Sequence, residues 1–554
     1  MRRIGIIAAV AAFLLLLFFV RHVTREEVSD PLIDQLRLRL ESDRELSARD
    51  KRTGGLHEPL LIRAVYSERN FRPLWSSPEG PMPRAASFAK IIATVESDGL
   101  NPEDYHLSRI EPFLSGEGKT GKRLNPEERL ELELLLSDAF IHYSRHLMNG
   151  RVDPRVLYED WFHLPREERD EGMILSALSA RDVEKALEVF RPSDATYRKL
   201  RAGLALYSDL QRQGGWPLVP DGEKIKAGER DSRMPLLRKR LIMSGDLSAS
   251  AAGEGDLFDS ELEQALRLFQ HRHGLLVDGV LGGRTVAELN VPVEKRIQQI
   301  KLNMERLRWL PRNLGELYIL VNVAGFSLEV MEKGEPVLDM KIIVGKDEED
   351  QQTFLFAGRM TYLELNPYWN VPESIAVEEL IPKLRKNPHY LAAQGMRILD
   401  SWSENAKEIN PATIDWESVD PEKFRYRFRQ DPGPKNPLGR IKFMFINEFN
   451  IYLHDTPSRT LFERTRRTFS HGCIRIEKPI ELAAYLLRGE MGWSKETILA
   501  EIAKKKRQVI KLPKPVPVYI FYMTAWADRD GFLHFRRDIY RRDRALEKAM
   551  GEAS

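Results

Sequence analysis

The hydrophobic period of this chain changes near residue 313, and no single fold accommodates both halves. Upstream, apolar residues recur at three- and four-residue spacing, the period of a helix packed on one face. Downstream, short runs rich in β-branched and aromatic residues are separated by turn residues, the pattern of strands. A single core rarely grows past about 250–300 residues, and this chain has 554. A multidomain α+β architecture is therefore expected. One cysteine is present, so no intrachain disulfide is available and packed cores must supply the stability. Basic residues number 85 and acidic residues 83. That balance gives no whole-chain argument for a nucleic-acid partner.

At the start, Arg2 and Arg3 precede an apolar run from Ile4 to Val20 that Arg21 and His22 end. At roughly 17 residues it is at the short end of a membrane span. The run lacks the small-residue pattern of a signal-peptidase site, which favours an uncleaved anchor over residues 1–25. The arginines put the N-terminus in the cytoplasm and the rest of the chain outside it. Residues 26–215 are expected to form an α-helical scaffold, with a charged stalk over 24–55. Asn125-Pro126-Glu127-Glu128 marks a helix start. Trp75, Tyr105 and Trp161 are expected core aromatics. His22, His106 and His163 carry no recognisable signal, and no catalytic constellation stands out in this half. After a linker rich in Gly and Pro, residues 230–291 form a small unit. Leu262, Ala265, Leu266 and Phe269 line one helix face there. His271 and His273, two apart, are expected on the surface or in a turn. A linker helix is expected over 292–312.

Strands are expected at Leu317–Val323, Ser327–Met331, Val337–Val344, Met360–Leu365, Ile441–Phe445 and Asn450–Leu453. They belong to a β-rich domain over 313–515. A stretch of mixed, partly helical pattern, 375–430, interrupts it and reads as an inserted lid. Residues 516–554 form a C-terminal extension.

The chemistry is concentrated in two segments. The first, Ile451 to Pro457, holds His454 at the end of an apolar strand. The second, Thr468 to Ile476, holds Cys473 between Gly472 and a strand-like Ile-Arg-Ile. An imidazole beside a thiol lowers its pKa and supplies the thiolate that attacks carbonyls. Arg464, Arg466, Arg467 and Arg475 act in the same direction. Gly472 allows a substrate backbone close to the sulfur, and the N–H groups around it are candidates for an oxyanion hole. Taken alone, these residues leave other readings open. A lone cysteine among isoleucines is commonly a small core hydrophobe. A zinc site from His454, His471 and Cys473 lacks a close-spaced ligand set.

Ser470-His471-Gly472-Cys473-Ile474-Arg475 resembles the Ser/Thr-His-Gly-Cys motif of the L,D-transpeptidases, whose catalytic domain is of the YkuD type. Val344-Gly345, Asn366 through Ile375 and Pro432 through Gly439 match in the same order. One departure is the acidic run Asp347 to Asp350. Residues 230–291, through Phe269-Gln270, Gly274-Leu275, Asp278-Gly279 and Gly282, resemble a three-helix peptidoglycan-binding module. Together with the tail from Tyr522 to Tyr540, the layout resembles the large branch of the family: anchor, scaffold, binding module, then a catalytic domain with a capping insertion. The resemblance implies an acyltransferase with Cys473 as nucleophile and His454 as base. Ser470, His471, Gly472 and Arg475 would shape the site, and Tyr368 and Trp369 would wall the groove or pack on the sheet. It implies peptidoglycan tetrapeptide stems as substrate, a thioester on Cys473, release of D-Ala, 3-3 cross-links and acylation by carbapenem β-lactams. Neither cofactor nor metal is expected. Expected partners are the inner membrane, through residues 4–20, and enzymes of wall synthesis, carboxypeptidases included. The location is extracytoplasmic. A wall-binding scaffold without turnover and a thiol hydrolase that only trims stems are the competing functions.

Overall fold

The computed structural model describes residues 30–41, 55–115, 123–158, 171–401, 403, 405–420, 426–490 and 492–552. The apolar run at 4–20, Trp161 and His163 lie outside the described residues. Among the described residues no helix is long and apolar enough to cross a membrane. The chain divides into two units, Met1–Met148 with Glu168–Arg191, and Asn149–Glu167 with Pro192–Ser554.

The first unit is helical and is organised by helix Pro126–Asn149. Its start is a reciprocal capping box, with Asn125 Oδ1 accepting from Glu128 N–H and Glu128 accepting from Asn125 N–H. Leu132, Leu135, Leu136, Ala139, Phe140 and Tyr143 are fully buried along it, with Trp75 and Tyr105 in the same core. The segment expected as a stalk departs from that reading. Pro31–Glu41 is a helix that buries Leu32, Leu36 and Leu40 in this core. Three leucines four residues apart make an apolar stripe that charge on the other face had masked. Glu133 is buried at the centre. Its carboxylate accepts from the N–H groups of Leu74, Trp75 and Ser76 and from the hydroxyls of Ser76 and Tyr66.

In the second unit, helix Ala195–Arg212 packs on helix Val293–Trp309. A C-terminal hairpin, Ala525–Ala527 with Leu533–Phe535, completes that core. Beside it, helices Met234–Met243, Ser260–Arg272 and Gly283–Leu289 close around Leu237, Leu241, Leu262, Leu266, Phe269 and Leu289. His271 is exposed and His273 lies in the turn after the helix, as expected, but His273 is not a surface residue. It is buried, its ring stacks on Phe269 at 3.9 Å, and its Nδ1 lies 2.8 Å from the Phe269 carbonyl. The residue follows the end of the helix, so helical spacing did not govern where its ring points.

The β-rich domain is one nine-stranded sheet. Its strands are β1 (Leu317–Asn322), β2 (Ser327–Glu332), β3 (Glu335–Gly345), β4 (Ala357–Leu365), β5 (Ile441–Phe445), β6 (Leu453–His454), β7 (Thr468–Ser470), β8 (Ile474–Ile476) and β9 (Gln508–Phe521). Their order is β7-β3-β8-β6-β5-β4-β9-β1-β2, and β2 also pairs with β3, so the sheet closes on itself. Alternation decides what each face carries. Ile342, Val344, Leu363, Leu365, Ile441, Phe443, Leu453, Ile474 and Ile476 fill the core. The intervening residues point the other way and build the site. Between β4 and β5 lies a small subdomain with its own four-stranded sheet, Trp369–Asn370, Arg427–Gln430, Met396–Leu399 and Glu408–Ile409 in that order. Val371, Leu380, Leu384, Leu391, Ile398, Trp416 and Phe428 form its core.

Replacing Glu133 by Ala strands three buried backbone N–H groups. At about 1–3 kcal/mol each, the expected loss of local stability is at least ~3 kcal/mol. Hydrogen exchange at the amides of Leu74, Trp75 and Ser76 is the measurement, with Glu133→Gln expected to lose less.

Candidate active site

Register brings the two chemical segments together. The pairing of β6 with β8 is parallel, with Leu453 opposite Ile474 and His454 opposite Arg475. Residues two apart on a strand share a face. Tyr452 and His454 therefore project on the same side as Cys473 and Arg475. Lys442 of β5 lies opposite His454, and Glu364 of β4 lies opposite Lys442. One polar row, Glu364, Lys442, His454 and Arg475, thus crosses four strands.

The Nδ1 of His454 sits 2.6 Å from the Asp455 carbonyl. A carbonyl only accepts, so Nδ1 carries the proton and Nε2 keeps its lone pair. Burial pushes the His454 imidazole down to about 3, and the cationic Arg475 and Lys442 push the same way. The residue is a neutral base across the ordinary pH range. Cys473 is half-buried and donates to the Asn450 carbonyl at 3.7 Å. Desolvation raises its thiol above the ordinary value, and contacts with Tyr452, Lys442 and Arg475 pull back only in part. The surroundings thus disfavour both the imidazolium of His454 and the thiolate of Cys473. The expected thiolate, depressed by four arginines, is not what the surroundings produce. Arg466 pairs with Asp347, and Arg467 donates to the carbonyls of Ile342 and Phe326. Arg475, on the sulfur's side of the sheet, lowers its pKa.

The loop that carries the thiol is held at several points. Ser470 is buried, and its hydroxyl donates to the Cys473 carbonyl at 2.5 Å. Gly472 has φ of 103°, a conformation that suits glycine, and its carbonyl accepts from Thr353 Oγ1 at 2.8 Å. Thr353 in turn accepts from the Gly345 N–H, while Tyr540 donates to the Gly345 carbonyl and accepts from Thr353 N–H. His471 leaves the sheet and meets Glu379 of the inserted subdomain, Nε2 to Oε1 at 2.9 Å. Arg475 makes no ion pair among the described residues, and its Nε is buried without a hydrogen-bond partner. Tyr368 lies between the guanidinium groups of Arg429 and Arg507, and Trp369 packs on the core of the inserted subdomain.

Tyr452, Lys442, Glu364, Thr353, Tyr540 and Glu379 escaped sequence reading. Tyr452 had a usable signal, since it stands two residues before His454 on one strand. Lys442 and Glu364 reach the site through strand register, and Thr353, Tyr540 and Glu379 through long-range hydrogen bonds and an ion pair.

Alkylation of Cys473 by iodoacetamide, followed by intact mass, reports the thiolate. Because burial raises the thiol and His454 stays neutral above pH about 3, the rate is expected to climb past pH 9. No plateau is expected near pH 6–7. Arg475→Met removes a cation and moves the rise to still higher pH.

Comparison with known proteins gives the domains their families. Residues 316–510 match the L,D-transpeptidase catalytic domain, YkuD. Residues 230–289 match the family described as "Putative peptidoglycan binding domain", and residues 61–204 match the Scaffold domain. A Haemophilus influenzae protein named "Putative L,D-transpeptidase" is 35% identical over 252 residues, 46% of this chain and 49% of that protein. The chain thus spans about half the length of that relative. An 80-residue stretch, 13% of this chain, is 35% identical to 20% of the Mycobacterium tuberculosis protein "N-acetylmuramoyl-L-alanine amidase CwlM". Among solved structures, an L,D-transpeptidase from Xylanimonas cellulosilytica aligns with 55% of this chain and 99% of its own, at 14% identity and a TM-score of 0.18. One from Mycobacterium smegmatis aligns with 37% and 58%, at 10% identity and a TM-score of 0.18. Likeness at that level carries no argument. The family matches and the sequence relative do: the chain carries a YkuD-type L,D-transpeptidase catalytic domain, joined to a peptidoglycan-binding domain and a scaffold domain.

Proposed function

We propose that the chain is an L,D-transpeptidase that works outside the cytoplasm on peptidoglycan stem peptides through a thioester on Cys473. The observation that carries this reading is the shared sheet face of Cys473, Tyr452, His454 and Arg475, within a domain matched to that catalytic family. The donor is a tetrapeptide stem. The Cys473 sulfur attacks the carbonyl carbon of the third residue while His454 Nε2 takes the thiol proton. The C–N bond to the terminal D-Ala then breaks, and the imidazolium returns its proton to the leaving amine. Two flanking cations disfavour a lasting charge on His454, which speeds that return. An amine of a second stem attacks the thioester carbonyl, His454 Nε2 takes the amine's proton and returns it to the departing sulfur, and a 3-3 cross-link results. No ATP is consumed, because the thioester keeps the acylating power of the peptide bond.

The N–H groups of Gly472 and Cys473, with the Tyr452 hydroxyl, are the donors proposed for the oxyanion. Arg475, without an ion partner of its own, suits a substrate carboxylate. The binding domain would hold the chain at the wall, residues 1–25 would anchor it to the inner membrane, and a carboxypeptidase would supply the tetrapeptide. The inserted subdomain, joined to the motif loop through Glu379 and His471, would exclude water from the thioester.

Intact mass after incubation with a carbapenem tests the nucleophile. A single adduct is expected on the wild type and none on Cys473→Ala; a well-folded wild type without an adduct overturns the reading. Cross-linked muropeptide dimers are the expected product, and loss of D-Ala alone would instead make the chain a hydrolase. His454→Ala is expected to slow turnover about 10²–10⁴-fold.

Glu379→Ala severs the contact with His471. The expected outcome is a higher ratio of hydrolysis to cross-linking, read by product mass, with Cys473 still acylated. An unchanged ratio removes the subdomain from the choice between water and amine.

A further inference from the structure

The helical scaffold unit holds a group of imidazoles that the acyl-transfer reading leaves unused. His57 precedes helix Pro59–Glu68, His106 stands at a left-handed φ of 61° ahead of helix Leu107–Leu114, and Asp138, His142 and His146 follow at four-residue spacing on helix Pro126–Asn149. Sequence reading passed over them because three separate elements contribute. Among the described residues, the ligand atoms of His57, His106 and Asp138 lie within 4.8 Å of one another. His106 Nε2 is 2.7 Å from Asp138 Oδ2, and Asp138 Oδ1 accepts the Glu58 N–H at 2.8 Å, which fixes the carboxylate. The His57 ring stacks on His142 at 4.2 Å and 8°, and on His106 at 5.3 Å and 23°. His142 Nδ1 is buried without a hydrogen-bond partner, 3.6 Å from Glu58 Oε1.

We propose that His57, His106 and Asp138 bind a divalent transition metal, Zn²⁺ by the chemistry of the donors, with a fourth position open to water. Two imidazoles and a carboxylate are a zinc-type donor set, and three protein ligands leave one coordination position free. Zinc bonds of about 2.0–2.1 Å require tetrahedral ligand atoms to sit about 3.3 Å apart. His106 and Asp138 are already close, so closure falls to His57. That residue is exposed, which also gives the ion an entry path. Asp138 is oriented by the Glu58 amide in the way supporting groups orient metal ligands. Three stretches distant in sequence would be joined by the ion, and the scaffold would gain stability by mass action.

The test uses the full-length chain without a histidine tag, stripped with chelator, in a Cys473→Ala background that removes the lone thiol. Zn²⁺ is titrated calorimetrically, and Co²⁺ serves as a visible-absorption probe of four-coordinate geometry. One ion per chain is expected, with a higher thermal midpoint. His57→Ala, at an exposed position, is expected to weaken binding by at least about tenfold, the minimum seen even for supporting groups, and to abolish the thermal gain. His106→Gln is expected to do the same, with unchanged circular dichroism showing that both variants fold. No binding at micromolar Zn²⁺, or binding that both variants keep, overturns the proposal.

Discussion

The hydroxyl of Tyr540 is the point from which the geometry of the Cys473 loop is set. It donates to the Gly345 carbonyl and accepts from the Thr353 N–H, and Thr353 carries the Gly472 carbonyl next to the thiol. Each such bond contributes only about 1 kcal/mol net, but a buried partner left unmade costs more. The residue comes from the C-terminal extension, which is fastened elsewhere as well. Thr524 bonds to Asn303 of the linker helix, Arg272 of the binding module donates to the Leu533 carbonyl, and Arg536 donates back to the Arg272 carbonyl. The tail thereby ties the three-helix module and the linker helix to the loop that carries Cys473.

The second constraint is electrostatic. Burial and the cations Arg475 and Lys442 disfavour a proton on His454, and desolvation raises the thiol of the half-buried Cys473. Both groups are favoured in their neutral forms. This differs from a preformed thiolate–imidazolium pair, and it suits a half-exposed lone sulfur, since a neutral thiol is a poor target for stray electrophiles.

Much of this was legible in sequence because it is local. The Asn125 capping box, the strands from Leu317 to Leu365, the interruption before Gln430 and the Ser470–Arg475 motif each depend on neighbours a few residues away. Asn450–Leu453 was misjudged in its limits. Asn450 adopts φ of 55° and the strand narrows to Leu453–His454, where the Asn447 side chain bonds to Phe449 and Ile451 and holds a turn. Pairings that depend on the closed sheet, such as Lys442 with His454 or Tyr540 with Gly345, leave no trace in local spacing. Neither does the stacking of His273 on Phe269, nor the meeting of His57 with His106. The partner of each is fixed by topology, and one sequence does not print its topology.

The motif loop straddles the end of β3. On one side Thr468 and Ser470 run parallel to Val344 and Gly345; on the other Arg475 and Ile476 run antiparallel to Ile343 and Ile342. Both flanks grip the same strand, and a side chain at Gly345 would lie 2.0 Å from the Gln351 carbonyl. The span from Ser470 to Ile474 is therefore a bridge of fixed length. One added residue would move one flank out of register and turn either the serine or the arginine to the wrong face. Growth of the chain is confined to places where no strand is gripped twice, such as the connection between β4 and β5, where an entire subdomain has been accommodated.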